Sequence, residues 1–129
     1  VAKERISSYS SLRVERLEDR NYKVTDMNEK PAPGEEFSLF SILGRLVLPP
    51  EIYGIIENTP AGAGGEIQIT DAMKTLARAA GMTGVDFIGE RYDMGNKFDV
   101  ARAYVEQAAA HPEIGEQFRA FVREFAAKL

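Results

Sequence analysis

The sequence predicts an α/β fold, or α+β if the chain is self-contained, and three observations carry that expectation. Two runs of alternating apolar and polar residues flank a short polar loop. The run from Leu39 to Leu48 is almost wholly apolar, and several later stretches repeat apolar residues at helical spacing. Alternation of period two marks half-buried strands, a continuous apolar run marks a strand covered on both faces, and a 3.6-residue period marks helices. Read in order, the elements run β-β-β-α-(β)α-β-β-α-α, with hairpin-type strands first and a helical tail last.

Leu12-Arg13-Val14-Glu15 alternates, a charged tip follows at Glu18-Asp19-Arg20-Asn21, and Tyr22-Lys23-Val24-Thr25-Asp26 alternates again. This is the signature of a β-hairpin whose second strand delivers Met27-Asn28-Glu29-Lys30-Pro31 at its end. Pro31, Pro33 and Gly34 forbid continuation of that strand. Leu39 to Leu48 is the candidate central strand, with Gly44 marking close backbone approach. Pro49-Pro50-Glu51 then opens a short helix carrying Ile52, Ile55 and Ile56, which Asn58-Thr59-Pro60 ends.

The most distinctive stretch follows, from Ala61 to Ala80. Gly62, Gly64 and Gly65 allow positive φ or close approach of another group. Glu66-Ile67-Gln68-Ile69 reads as a short strand, Thr70 as the N-cap of a helix with Asp71 in its first turn, and Gly81 as its C-terminal stop. Ala72, Met73, Leu76, Ala77 and Ala80 form the apolar face. A tight connection is favoured over a phosphate cradle for the glycines, because neither G-x-x-x-x-G-K-[ST] nor G-x-G-x-x-G occurs. Val85 to Ile88 reads as a strand and Arg91 to Asn96 as another, with Asn96 capping a helix whose apolar stripe is Phe98, Ala101, Tyr104, Val105 and Ala108. Pro112 ends that helix at His111. The last helix carries Ile114, Phe118, Phe121, Val122, Phe125 and Leu129 on one face, and a face with three Phe calls for a cover.

At 129 residues the chain is the size of one domain, and a 44% hydrophobic, 28% charged composition is that of a globular protein. The net charge of −4 and the absence of a clustered basic patch argue against nucleic-acid binding. No apolar run is long enough to span a membrane. Zero cysteines and a single histidine exclude disulfides, thiolate metal sites and a histidine-based zinc site. The cysteine-free composition points to a reducing compartment, hence the cytoplasm. The chain has no signal-peptide core and does not begin with Met, so it is expected to be a portion of something longer.

Carboxylates are the remaining candidates for chemistry. Asp93 lies between Tyr92 and Met94-Gly95 where a strand hands over to a helix; a hard divalent cation and a plain helix cap fit it equally. Glu29 and Lys30 are an acid and a base at a strand end, which in extended backbone would point to opposite faces. From residue types alone an exposed charged turn is the stronger reading. His111, beside Pro112 at a helix end, fits the helix dipole better than a catalytic triad.

Taken together, Glu29-Lys30-Pro31, Ser41-Ile42-Leu43-Gly44-Arg45, Pro50-Glu51-Ile52, the run G-A-G-G-E-I-Q-I-T-D-A ending at Ala72, R-Y-D-M-G-N-K from Arg91 to Lys97, and H-P-E-I-G-E-Q-F-R from His111 resemble the C-terminal half of bacterial UTP:glucose-1-phosphate uridylyltransferase (UDP-glucose pyrophosphorylase). The resemblance covers essentially the whole chain, so that residues 1–129 would be the C-terminal portion of a sugar-nucleotidyltransferase domain whose N-terminal nucleotide-binding half is absent. It implies the C-terminal part of a Rossmann-like mixed sheet with a helical tail.

What the resemblance implies for function is formation of UDP-glucose and pyrophosphate from UTP and glucose 1-phosphate, with Mg²⁺ as cofactor. By motif match Glu29 would hold glucose hydroxyls and Lys30 the sugar phosphate, and Asp93 would be a metal-side carboxylate, making Lys30 and Asp93 the catalytic pair. Lys97 matches a family lysine without a physical argument for its role. The chain departs from the family pattern in three places: Tyr9-Ser10-Ser11 replaces Tyr-Gly, Pro49 stands where Thr is common and Asn96 where Asp is common. Ser in place of that Gly is expected to crowd the sugar. Lacking the nucleotide loop, the isolated chain is expected to be inactive. A non-catalytic oligomerisation or regulatory module of this family is the alternative, with homo-oligomers forming through the C-terminal helices or an exposed sheet edge; a thymidylyltransferase of similar layout is a third reading.

Overall fold

The computed structural model describes residues 1–129, with the side chain of Ala63 outside the description. The chain forms two compact units, Val1–Phe87 and Ile88–Leu129.

The first unit is built on the expected hairpin. Strand β1 (Ser10–Arg16) pairs antiparallel with β2 (Asn21–Glu29), and β2 pairs antiparallel with β3 (Thr83–Val85), in the order β1-β2-β3. The α-and-β class therefore holds, while the sheet formed by these residues is wholly antiparallel instead of mixed. Leu12 lies opposite Met27, but Val14 lies opposite Val24, so the register shifts at Thr25. This bulge places Val24 and Met27, three residues apart, on one face. Both are buried with Leu12 against α1 (Glu51–Glu57) and α2 (Ile69–Ala80), which contribute Ile52, Ala72, Met73, Leu76 and Ala77 to the same core.

Leu39–Leu48 is not a strand. The segment that precedes and enters it is held to β1 chiefly by serines. Leu12 N–H donates to Phe40 O at 3.0 Å, but Ser11 Oγ accepts the N–H groups of Phe37 and Ser38 and donates to Ser38 O, at 2.8, 3.1 and 2.9 Å. Ser10 Oγ accepts Ile42 N–H at 3.0 Å. Side chains thus take the backbone donors that a ladder would have used. Phe40, Ile42 and Leu48 pack on the core while Val47 is fully exposed, and Gly44 turns the backbone at φ 84°. The apolar content serves an irregular cover over one edge of the hairpin.

Further corrections concern the helix ends. Glu66–Ile69 forms no strand: Ile67 is 60% exposed and α2 begins at Ile69, after Gln68, so Thr70 is not its N-cap. Its far end is as expected, with Gly81 at φ 81°, although Ala80 on the expected apolar face is exposed. The expected strand at Val85–Ile88 is reduced to β3, which ends at Val85.

The second unit is a helical hairpin of α3 (Lys97–Ala110) and α4 (Gly115–Ala126). Asn96 caps α3 as expected, accepting the N–H groups of Phe98 and Asp99 at 2.9 and 3.1 Å. The turn between the helices depends on Gly115, where an added Cβ would lie 2.7 Å from the carbonyl oxygen of Ala109. Arg119 donates to that same oxygen. Residues 91–96 form turns, not a strand, because side chains fold them onto α3: Tyr92 donates to Glu106 at 2.5 Å and the guanidinium of Arg102 stacks 5.1 Å from the Tyr92 ring. The apolar stripe expected on α3 is exposed at Phe98, Tyr104 and Val105, as are Phe121 and Phe125 of α4 and Leu129 beyond its end.

Candidate functional site

The hairpin register brings Tyr9-Ser10 beside Glu29-Lys30, since Ser10 is the ladder partner of Glu29 and the N–H of Lys30 donates to Tyr9 O at 3.0 Å. Glu29 sits at the last position of β2, two residues past buried Met27 and therefore on the α2 side of the sheet. There its Oε2 accepts the hydroxyl hydrogen of Thr70, 2.7 Å away in the first turn of α2. Thr70 is buried, so this contact replaces the capping role expected of it. An ionised carboxylate has about four acceptor positions, and one bond leaves several for a ligand's hydroxyls.

Lys30 is exposed and adopts φ 46°. Left-handed backbone at a lysine costs about 1–2 kcal/mol and replaces the extended geometry in which Glu29 and Lys30 would have faced opposite ways. The chain turns sharply there, and Pro31 behind it is buried. Ser10 is itself buried, with Oγ engaged by Ile42 N–H and 3.3 Å from Ser41 Oγ.

The glycine loop closes on itself through Gly62 N–H to Glu66 O at 2.8 Å and Gly65 N–H to Gly62 O at 3.0 Å. Gly64 and Gly65 require φ of 73° and 76°. A Cβ at Gly62 would sit 2.2 Å from Asp71 Oδ2, so the loop packs against the start of α2 and a larger residue there would require the Asp71 side chain to move. That is the tight connection favoured on sequence grounds.

Asp93 lies in the second unit. Its Oδ1 accepts Gly95 N–H at 3.0 Å, its Oδ2 lies 3.7 Å from Arg91 Nη2, and its own N–H donates to Asp99 Oδ2 at 3.2 Å. Asp99 is buried and was not singled out from sequence; its place in the first turn after Asn96 was the only available signal. Among the described residues no group of three or more His, Cys, Asp or Glu side chains converges, and the carboxylate that neighbours Asp93 is that of Asp99. That arrangement suits Mg²⁺ only if phosphates, water or other protein groups complete the shell.

The comparisons with known proteins bear on this arrangement. No family profile matches the chain. Its relatives are nucleotidyltransferases that act on a sugar phosphate. In particular, the chain is 39% identical over 101 residues to UTP–glucose-1-phosphate uridylyltransferase 1 of Streptococcus pyogenes, an alignment covering 78% of this chain and 33% of that one. The Streptococcus pneumoniae enzyme is 37% identical over 111 residues, or 86% of this chain and 37% of the other. Among solved structures, UDP-glucose pyrophosphorylase complexed with UDP-glucose aligns at TM-score 0.79 and 37% identity, over 83% of this chain and 42% of that one. UTP-bound UGPase from Acinetobacter baumannii aligns at TM-score 0.81 and 28% identity, over 96% of this chain and 42% of that chain. The resemblance read from the sequence is thereby shown over the aligned part of the chain. The chain spans about a third of the length of the curated relatives it matches. No helix among the described residues is long and apolar enough to cross a membrane.

Proposed function

We propose that residues 1–129 supply the sugar-phosphate side of a UTP:glucose-1-phosphate uridylyltransferase, as the C-terminal portion of a Rossmann-like domain whose larger mixed sheet is completed elsewhere. The observation that carries this reading is the placement of Glu29 and Lys30: an anchored carboxylate with acceptor capacity to spare, next to an exposed ammonium at a sharp turn. Glu29 accepts glucose hydroxyls, and Lys30 meets the 1-phosphate as a point charge. An oxygen of that phosphate attacks the α-phosphorus of UTP in line. The new P–O bond forms as the bond to the β-phosphate oxygen breaks, and pyrophosphate leaves. The chain's part is to hold the attacking phosphate at near-attack distance and to offset its charge. Mg²⁺, when bound, neutralises charge on the phosphates, and Asp93 is the residue here that would contribute a ligand. The hydroxyl of Ser10 is buried and turned to Ser41 and Ile42, so it does not compete for the Glu29 carboxylate.

The test is Mg²⁺-dependent UDP-glucose synthesis by the complete native polypeptide. Lys30→Ala is expected to weaken glucose 1-phosphate binding by about 1.5–3 kcal/mol, roughly ten- to hundredfold, the worth of a charge-assisted contact. Unchanged affinity would remove Lys30 from the site, and the isolated chain is expected to turn over no UTP. A cytoplasmic location goes with this reading and is supported by the cysteine-free composition. A second reading, as a homo-oligomerisation module, is favoured by one observation: Phe121 and Phe125 of α4 are 57% and 50% exposed with stacked rings 6.0 Å apart. A monomer by sedimentation at high concentration would count against it.

A further inference from the structure

Thr70 lies 41 positions from Glu29 in sequence, is only 6% exposed, and spends its hydroxyl hydrogen on the Glu29 carboxylate. Nothing else about its position demands a hydroxyl, since it caps no helix and α2 begins before it. A valine would fill the same volume. A glutamate side chain at a strand end has three rotatable bonds, and a ligand that needs one rotamer must overcome the entropy of the others. The Thr70 bond fixes Oε2 against the first turn of α2 and so fixes where Oε1 is presented. Because Thr70 belongs to a helix whose buried face is locked into the core through Met73 and Leu76, the anchor is rigid.

We propose that Thr70 is a positioning residue for sugar recognition, orienting Glu29 for the hydroxyls of a hexose 1-phosphate without touching the ligand itself. This rests on the reading of Glu29 as the sugar-hydroxyl acceptor. It extends that reading to specificity: a carboxylate held in one rotamer discriminates between epimers that differ in the direction of one hydroxyl, and a carboxylate released from Thr70 follows either.

The experiment uses the complete native polypeptide and steady-state kinetics with glucose 1-phosphate, galactose 1-phosphate and UTP, on Thr70→Val, Thr70→Ser and Glu29→Gln. Thr70→Val is expected to raise the KM for glucose 1-phosphate by about five- to tenfold, the loss of part of one hydrogen bond to a charged group. It should leave the KM for UTP and the melting temperature unchanged and narrow the preference for glucose over galactose 1-phosphate. Thr70→Ser keeps the hydroxyl and should restore both KM and preference. If Glu29→Gln raises the sugar-phosphate KM while Thr70→Val does not, Thr70 has no positioning role and the assignment of Glu29 survives. If Glu29→Gln changes neither KM nor preference, the assignment of Glu29 falls, and the role of Thr70 with it. A Thr70→Val effect that Thr70→Ser fails to restore, or one that moves both substrates' KM equally, also overturns the proposal.

Discussion

Arg78 on α2 reaches across to β2 and places Nη2 2.9 Å from Oδ2 of Asp26, while Lys74, one turn earlier, lies 3.6 Å from Oδ1. Asp26 is the residue just before buried Met27, whose N–H it also accepts at 2.9 Å. One carboxylate therefore ties the sheet to the helix that anchors Glu29. Burial pulls the Asp26 carboxyl upward, but the Arg78 and Met27 hydrogen bonds with the charges of Lys74 and Arg78 outweigh it and hold the group below its usual value.

That shift has a sign. A carboxyl whose folded value is depressed contributes stability that is fully present above its unfolded value, near 3.8, and is lost as pH falls through the lower folded value. Arg78 is more than half exposed, so solvent screening keeps the pair's contribution to about 1 kcal/mol or less. Urea midpoints should fall on acidification below pH ~4 in the parent, and the fall should be shallower in Asp26→Asn. Parallel profiles would show that Asp26 is not a source of acid sensitivity.

Ser11 is fully buried and serves two backbone N–H groups at once. Ser11→Ala strands the donors of Phe37 and Ser38, and an unsatisfied buried donor costs about 1–3 kcal/mol. Chemical denaturation should register a loss of this size, with faster amide exchange at Phe37 and Ser38. A loss under about half a kcal/mol, of the order seen at ordinary surface sites, would mean that water replaces the serine.

Gly115→Ala sets two effects against each other. Helix propensity favours alanine by up to about 1 kcal/mol, whereas the new Cβ would lie 2.7 Å from a backbone oxygen that cannot rotate away. Overpacking of this kind costs about 1–3 kcal/mol, so the variant should melt lower. A raised melting temperature would show that α3 and α4 separate freely.

Lys30→Asn should part stability from function. Asparagine tolerates left-handed backbone better than lysine, so at φ 46° the fold should be as stable or slightly more so. Glucose 1-phosphate affinity should still drop for want of the ammonium. Thermal melts and titration of the complete polypeptide would settle both, and a simultaneous loss of stability would indicate that Lys30 is structurally required.

The hairpin and α2 were legible because their burial follows local periodicity: Leu12 and Val14 alternate, and Met73, Leu76 and Ala77 recur at helical spacing. Leu39–Leu48 is misleading because the hydroxyl of Ser10 takes Ile42 N–H and that of Ser11 ties down Phe37 and Ser38 just before the run, and hydropathy carries no record of where a serine will bond. Residues 91–96 were misread for the same reason, since Tyr92 and Asp93 are organised by Glu106 and Asp99. At the candidate site, Glu29 and Lys30 could be found only through the resemblance. The Thr70 contact had no local signal, because a threonine before an aspartate at a helix start looks like a cap wherever its hydroxyl goes.

The extra residue at Thr25 reaches further than the core. Side chains on a strand alternate, so whichever face Met27 takes, Glu29 takes too. Were β2 to pair with β1 without a skip at that point, every position beyond it would be turned over, burying the wrong residues and sending the Glu29 carboxylate away from α2. Deleting Thr25 removes only the skipped residue and leaves Val24, Met27 and Glu29 on their common face, so the shortened chain should keep sugar recognition, whereas a residue inserted between Met27 and Glu29 should silence it.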